Sequence, residues 1–349
     1  MQFAKLKMSS RFNLATSGVK NFPFAELPVS LEEFELSTSG AYGYEPLLHE
    51  ISHRYEVAKE NIVTSLGTSM ANFLVFASLL ERGDEILVEH PTYELLLSAA
   101  EFFRVNIKRF HRTFENGFQI DVRELEKKIS NKTRLIILAN LHNPSSVFIE
   151  ENVLKQIGEI AKTVGARVLV DEVYLDAMFE KKPQTSFLLG NEFIVTNSLT
   201  KVYGLGGLRC GWIFAETELA QKFWQFADLL YVNHAHIAER LSVAAFHHLE
   251  KIAERSRLLL NTNREIITRF FESQKNLDVI KPAFGTTYFP RLNNGNIEQL
   301  CLLLREQYET TIVPGSFFEM PQHFRVGIGG ETENLQEGLE RLGKALKEI

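Results

Sequence analysis

Cysteine is scarce: Cys210 and Cys301 are the only two in 349 residues. Two are too few for a disulfide framework and fit a reducing compartment. Long apolar runs are missing as well, since the longest, 73–80, is interrupted by Ser78 and falls far short of a bilayer span. Residues 1–10 lack the apolar centre of a signal peptide, so the expectation is a cytoplasmic chain with no membrane partner. There is no basic excess. The 38 Lys and Arg stand against 44 Asp and Glu, a formal charge of -6, and no zinc-finger, RNA-recognition or basic-region pattern occurs; this argues against a nucleic-acid partner. No internal repeat, low-complexity stretch or Pro/Gly/Ser-rich linker divides the chain.

What is present is a hydrophobic content of 45%, enough at this length for one large core and a smaller one. Strand-like runs at 61–65, 85–89, 105–110, 134–139, 167–171, 193–196 and 212–215 alternate with helical stretches such as 151–164. The alternation predicts an α/β fold, with a mostly parallel seven-stranded sheet and helices on both faces. From about residue 219 the pattern turns to long helical periodicity and then an α+β segment. The expected division is a large unit over 41–230 and a smaller α+β domain built from 1–40 and 231–349.

Chemistry concentrates in 197–212. Lys201 lies three residues after Ser198 and eight before Arg209, between a β-rich run and a glycine-rich turn. A lone lysine there reads as a solvated loop residue. With a hydroxyl donor and a fixed cationic fork beside it, it suits a phosphorylated aldehyde held as a Schiff base, with Ser198 and Arg209 on the phosphate. That describes pyridoxal 5'-phosphate. The run 166–174 reads as a buried parallel strand delivering Asp171 and Tyr174 at its carboxyl end, the edge where open α/β sheets bind ligands. A carboxylate at Asp171 can hold a protonated pyridine nitrogen, which makes the ring an electron sink. Tyr174 and Asn143 can both hydrogen-bond the ring oxygen, although Asn143-Pro144 alone would be an ordinary turn.

Asn143, Asp171, Tyr174, Ser198, Lys201 and Arg209 occur in an order, and at successive separations of 28, 30 and 8 residues between Asn143, Asp171, Lys201 and Arg209, that resemble the class I/II aminotransferases of the fold type I pyridoxal-phosphate enzymes. The resemblance runs through nearly the whole chain and implies further roles. Arg325, in Phe324-Arg-Val-Gly-Ile-Gly329, would bind the substrate carboxylate. Thr68 and Ser69 open a helical run, so their amides would face the phosphate. Tyr93 would stack on the ring, with a core-filling tyrosine as the plainer reading. Tyr42 would reach the partner's cofactor in a homodimer, with Tyr44 close enough to confuse the assignment. Gly18 would lie beside the substrate. The implied reaction is transfer of an amino group from an amino acid to a 2-oxo acid, although decarboxylases and carbon-sulfur lyases use the same residue set. One departure is Pro144-Ser-Ser-Val147, where the family often has glycine.

Two other patterns compete. His49-Glu50-Ile51-Ser52-His53 matches a zinc-hydrolase motif. Its continuation fails, because Glu56 and Lys59 stand where glycine and histidine are required and 68–80 offers no acidic ligand; no metal is expected, and a polar helix face is the plainer reading. The run 204–209 begins like a dinucleotide fingerprint but has Arg209 in place of its last glycine. Phe22 and Phe24 near the expected substrate edge suit an apolar or aromatic side chain.

Overall fold

The computed structural model describes residues 10–30, 35–37 and 41–349. Its centre is the expected seven-stranded sheet: β1 (Ile62–Leu66), β2 (Glu85–His90), β3 (Asn106–His111), β4 (Thr133–Ala139), β5 (Arg167–Asp171), β6 (Phe193–Ser198) and β7 (Cys210–Phe214). The order across the sheet is β1-β7-β6-β5-β4-β2-β3. All neighbours run parallel except β7, which is antiparallel to both β1 and β6.

Parallel strands covered on both sides must be apolar on both sides, and the central strands are. Ile136, Leu138, Val168, Val170 and Val195 face one hydrophobic cluster. Leu135, Ile137, Leu169 and Ile194 face the other. Helix α1 (Glu45–Tyr55) and the amphipathic helix Glu151–Val164 cover the first face through Leu47, Ile51, Leu154 and Ile157. The second is covered by α2 (Thr68–Leu79), through Ala71, Leu74 and Val75, and by α3 (Glu94–Phe102), through Leu96 and Ala100.

The start of β7 differs from the expected one by two residues. Cys210 and Gly211, which sequence assigns to the turn, pair with Leu66 and Ser65 of β1. Gly211 permits this because a Cβ there would stand 2.6 Å from the backbone of Gly67, leaving no room for a side chain.

A separate cluster joins the ends of the chain. Leu14 and Val19 pack with Leu260, Ile267, Phe324, Val326, Leu335 and Leu339, and Phe12–Asn13 pairs in parallel with Thr310–Thr311. Three short strands, β8 (Thr287–Tyr288), β9 (Val313–Pro314) and β10 (Phe324–Gly327), form an antiparallel sheet with β10 in the middle. The helix Leu249–Ser273 belongs to both bodies, with Ile252 in the large cluster and Leu260 in the small one. Among the described residues, no helix is long and apolar enough to cross a membrane.

Glu172, just past β5, ties the turn at Ser186–Leu189 to the sheet, its Oε1 accepting from the Ser186 amide at 2.8 Å and from the Ser186 hydroxyl. Burial pushes its carboxyl up to about 7 from an ordinary 4.5. The folded chain therefore favours the protonated acid. The stability this confers is complete below about 4.5 and is lost as pH rises through about 7. Glu172→Gln, uncharged throughout, should flatten that decline. Urea midpoints at pH 5 and pH 8 are expected to differ less in the variant than in the parent, and equal differences would refute the account.

Candidate active site

The carboxyl ends of β4, β5 and β6 lie side by side, with Ala139 opposite Asp171 and Asp171 opposite Thr196. Above this edge lies a cavity of about 340 Å³, closed by the start of α2, residues 15–17, residues 313–318 and Arg325. Thr68, Ser69, Tyr93, Asn143, Asp171, Tyr174, Ser198, Lys201, Arg209 and Arg325 all line it. Gly18 and Tyr42 do not.

Asp171 is buried, with one oxygen accepting from Asn72 Nδ2 at 3.1 Å and the other from the Val173 amide at 3.1 Å. Burial raises its carboxyl to about 6, against the pull of those donors and of the Lys201 charge. Asn72 is fixed in turn by Thr196, whose hydroxyl donates to Asn72 Oδ1 at 2.7 Å. Sequence reasoning missed Asn72: on a helix it reads as an unremarked polar position, and only the fold brings it to a carboxylate 99 residues away.

The loop between β6 and β7 holds Lys201 and Arg209. Arg209 adopts the left-handed conformation (φ 51°) and donates from Nη2 to Leu66 O at 2.9 Å, laying its guanidinium against Gly67. Gly67 sits at φ 79°, a conformation that favours glycine, and a Cβ there would stand 2.5 Å from that nitrogen and push the guanidinium aside. Met70 and Ala71 are the first amides of the α2 turn to find an acceptor, Gly67 O. The Thr68 and Ser69 amides stand before them at the helix start. Thr68 donates its hydroxyl to Ser198 Oγ at 2.9 Å. Helix amides, two hydroxyls and a guanidinium thus meet at one end of the cavity, a donor set that fits a phosphate dianion.

At the other end, Arg325 donates to Asn143 Oδ1 and to Ala15 O, both at 3.0 Å, and its Nε is buried with no partner among the described residues. Its carbon Cζ lies 5.2 Å from the centre of the Phe318 ring. Burial lowers its pKa from the ordinary guanidinium range, but its charge persists in proteins. Because Asn143 Oδ1 is taken by Arg325, its amide hydrogens are left to donate. Tyr174 Oη donates to Ser17 Oγ at 2.9 Å, and Lys201 Nζ donates to the same oxygen at 3.1 Å. Tyr93 caps the start of α3 at the cavity wall, and burial raises its hydroxyl above the ordinary range.

Gly18 is placed by the lysine: a Cβ there would lie 3.1 Å from Lys201 O, and the next amide, Val19, donates to that oxygen at 2.8 Å. Tyr42 is 53% exposed, stacked on Trp224 and hydrogen-bonded to Asp228 at 2.7 Å, outside its own chain's cavity. His49 and His53 are exposed on α1, Glu50 faces His247 at 3.3 Å, and among the described residues no cluster of three such side chains could hold a metal. Gly204 (φ 69°) makes room for the backbone of Lys20 rather than for a cofactor. Cys210 is buried, its thiol pushed up to about 12 by burial, and serves packing.

The family described as aminotransferase class I and II matches residues 37–342. The chain belongs to this family. It is a pyridoxal-phosphate-dependent aminotransferase with the fold type I architecture. It is 28% identical over 328 residues to a probable aspartate/prephenate aminotransferase of Aquifex aeolicus, covering 87% of this chain and 80% of that one. It is 25% identical over 350 residues to capreomycidine synthase of Streptomyces vinaceus, with 97% and 90% covered. A crystal structure of a PLP-dependent aminotransferase from Streptococcus suis superposes with a TM-score of 0.93 at 27% identity, over 99% of this chain and 96% of that one.

Loss of the Asn72 donor should loosen the Asp171 carboxylate. A hydrogen bond to a charged group contributes about 1.5–3 kcal/mol, so Asn72→Ala should slow turnover roughly ten- to a hundred-fold while circular dichroism stays unchanged. Activity within two-fold of the parent would show that Asp171 needs no such support.

Proposed function

We propose that this aminotransferase moves the amino group of an amino acid with an uncharged, largely apolar side chain to a 2-oxo acid, using Lys201 as the covalent attachment point of its cofactor. The observation that carries this is the convergence of Lys201, Asp171, Tyr174, Asn143, Arg209 and Arg325 on one cavity. Pyridoxal phosphate, when bound, supplies an acceptor for the electron pair released at the substrate's α-carbon. Asp171 holds a positive ring nitrogen. Arg209, Ser198 and the Thr68 and Ser69 amides hold the phosphate, Tyr174 and Asn143 donate to the ring oxygen, and Tyr93 covers the ring face. Arg325 takes the α-carboxylate, and Lys201 Nζ holds the proton removed from the α-carbon. A carboxylate clamped by an arginine is retained, which favours proton removal over decarboxylation.

Charge in the cavity supports the side-chain preference. Its cations are Lys201, Arg209 and Arg325, each already committed, and its remaining charged residue besides Asp171 is Glu94. Ala15, Val313, Phe317 and Phe318 supply an apolar wall. Among the described residues, the cavity therefore offers no further cation for a second substrate carboxylate. Lys201→Arg should abolish borohydride-stable labelling and lower turnover by at least the ~10²–10⁴ that acid–base catalysis contributes. Stopped-flow half-reactions on the parent should convert leucine and phenylalanine at least ten times faster than aspartate or glutamate. Faster dicarboxylates would refute the preference. Release of carbon dioxide or a thiol with the resting spectrum retained would favour a decarboxylase or lyase.

The working unit in this proposal is a cytoplasmic homodimer, and the domain division is 41–230 against 1–40 with 231–349. The two free, buried cysteines support the compartment, and the cluster that joins Leu14 and Val19 to the carboxyl-terminal residues supports the division. Residues up to Ile252 pack with the large body, so its edge is drawn by chain position rather than by packing. For the dimer, Tyr42 is exposed away from its own cavity, and Leu229, Val232 and Ile237 are exposed on segments that follow Trp224. Tyr42 then acts on the neighbour's phosphate. Mixing Tyr42→Phe with Lys201→Ala chains should restore activity, because one site of each mixed dimer carries neither lesion. No recovery in verified mixed dimers would count against Tyr42 acting in trans.

A further inference from the structure

The segment 16–20 is held from three sides, by Thr286, by the lysine loop and by Gly329. Thr286 donates its hydroxyl to Ser17 O at 2.6 Å, the Val19 amide donates to Lys201 O at 2.8 Å, and the Lys20 amide donates to Gly329 O at 2.7 Å. Gly18 lies so close to Lys201 that a Cβ would stand 3.1 Å from its carbonyl oxygen. On the side of this segment the bonds are all made by backbone groups, and they fix where the Ser17 side chain must point. Its Oγ, in a residue 9% exposed, is reached by Tyr174 Oη at 2.9 Å and by Lys201 Nζ at 3.1 Å.

We propose that Ser17 is a further positioning residue of this enzyme, holding the Lys201 amine so that the lysine stays aimed at the reacting carbon in either protonation state. The inference rests on the assignment of Lys201 as attachment point and base. A hydroxyl offers one donor and two acceptor sites, and its hydrogen rotates freely. Toward an ammonium, Ser17 Oγ accepts from both Lys201 and Tyr174, as the structure has it. Toward a neutral amine, the hydroxyl turns and donates to nitrogen, which leaves Tyr174 to give its one hydrogen to the ring oxygen. A backbone carbonyl, which only accepts, could not serve both states from that position. A lysine that alternates between bound, neutral and protonated forms needs a partner of this kind, or it would swing out of line each time its charge changes.

The test is the pH titration of the visible absorbance of the resting holoenzyme, read without turnover, in the parent, Ser17→Ala and Ser17→Thr. Alanine removes the acceptor that favours the protonated nitrogen, so the midpoint should move down by about one unit, and threonine, which keeps the hydroxyl, should restore it. The rate constant of the amino-acid half-reaction should fall roughly ten-fold or more in the alanine variant, with less than a three-fold change in apparent substrate affinity. Borohydride reduction and peptide mapping accompany each protein. An unmoved midpoint with normal Lys201 labelling, or equal shifts in the alanine and threonine variants, overturns the serine proposal alone. A label on another lysine in the parent overturns the Lys201 assignment, and this inference with it. If Ser17→Ala does not accumulate as folded protein, the near-isosteric Ser17→Cys is read by the same criteria.

Discussion

A carboxylate buried at the edge of an apolar sheet is tolerated only where donors and a cation meet it. Asp171 has donors on both oxygens, from Asn72 and from the Val173 amide, and the Lys201 charge near it, yet burial still raises its carboxyl. That imbalance is what a cationic ring nitrogen corrects. The surroundings follow from meeting it: β5 must end at Asp171, α2 must bring Asn72 across the sheet, and β6 must supply Thr196 to hold Asn72 in place. A cationic ring nitrogen beside Asp171 would favour its ionised form, the form burial disfavours.

The second requirement is that the two ends of the chain meet over this edge. Leu14 and Val19 are buried with Phe324, Val326 and Ile328, and the residues between and beside them, Ser17 and Arg325, turn into the cavity. Arg325 bonds both Ala15 O and Asn143, so the group proposed to take a substrate carboxylate is tied at once to the amino-terminal segment and to the asparagine proposed to face the ring. Substrate recognition and cofactor geometry therefore share bonds, and a displacement at one is felt at the other.

Much of this is legible in sequence because it is local. The apolar strands, Asp171 and Tyr174 at the end of one of them, and Ser198, Lys201 and Arg209 within a dozen residues are set by short-range pattern. The residues that escaped are joined to the site only by folding. Asn72 meets Asp171 across 99 residues and Thr196 across 124, while Ser17 meets Tyr174 across 157 and Lys201 across 184. A serine before a turn glycine and an asparagine on an apolar helix carry no periodic signal. Gly211 escaped for a related reason: glycine reads as turn, whereas here it lets β7 pass against Gly67. His49 and His53 show the converse, a strong local pattern on a helix face that meets no third ligand among the described residues.

Charge balance is the physical basis of the proposed selectivity. A phosphate dianion and an α-carboxylate bring three negative charges, and Asp171 adds a fourth. Arg209, Arg325, the positive ring nitrogen and the start of α2 answer them at separate places. Lys201 is needed uncharged for part of its work, so it cannot serve as a standing counter-ion. Each positive element is consumed by a charge the chemistry requires, and Glu94 shifts the remainder to the negative side. In the proposed reading, the charges lining the cavity balance without a second substrate carboxylate, and Val313, Phe317 and Phe318 supply an apolar wall.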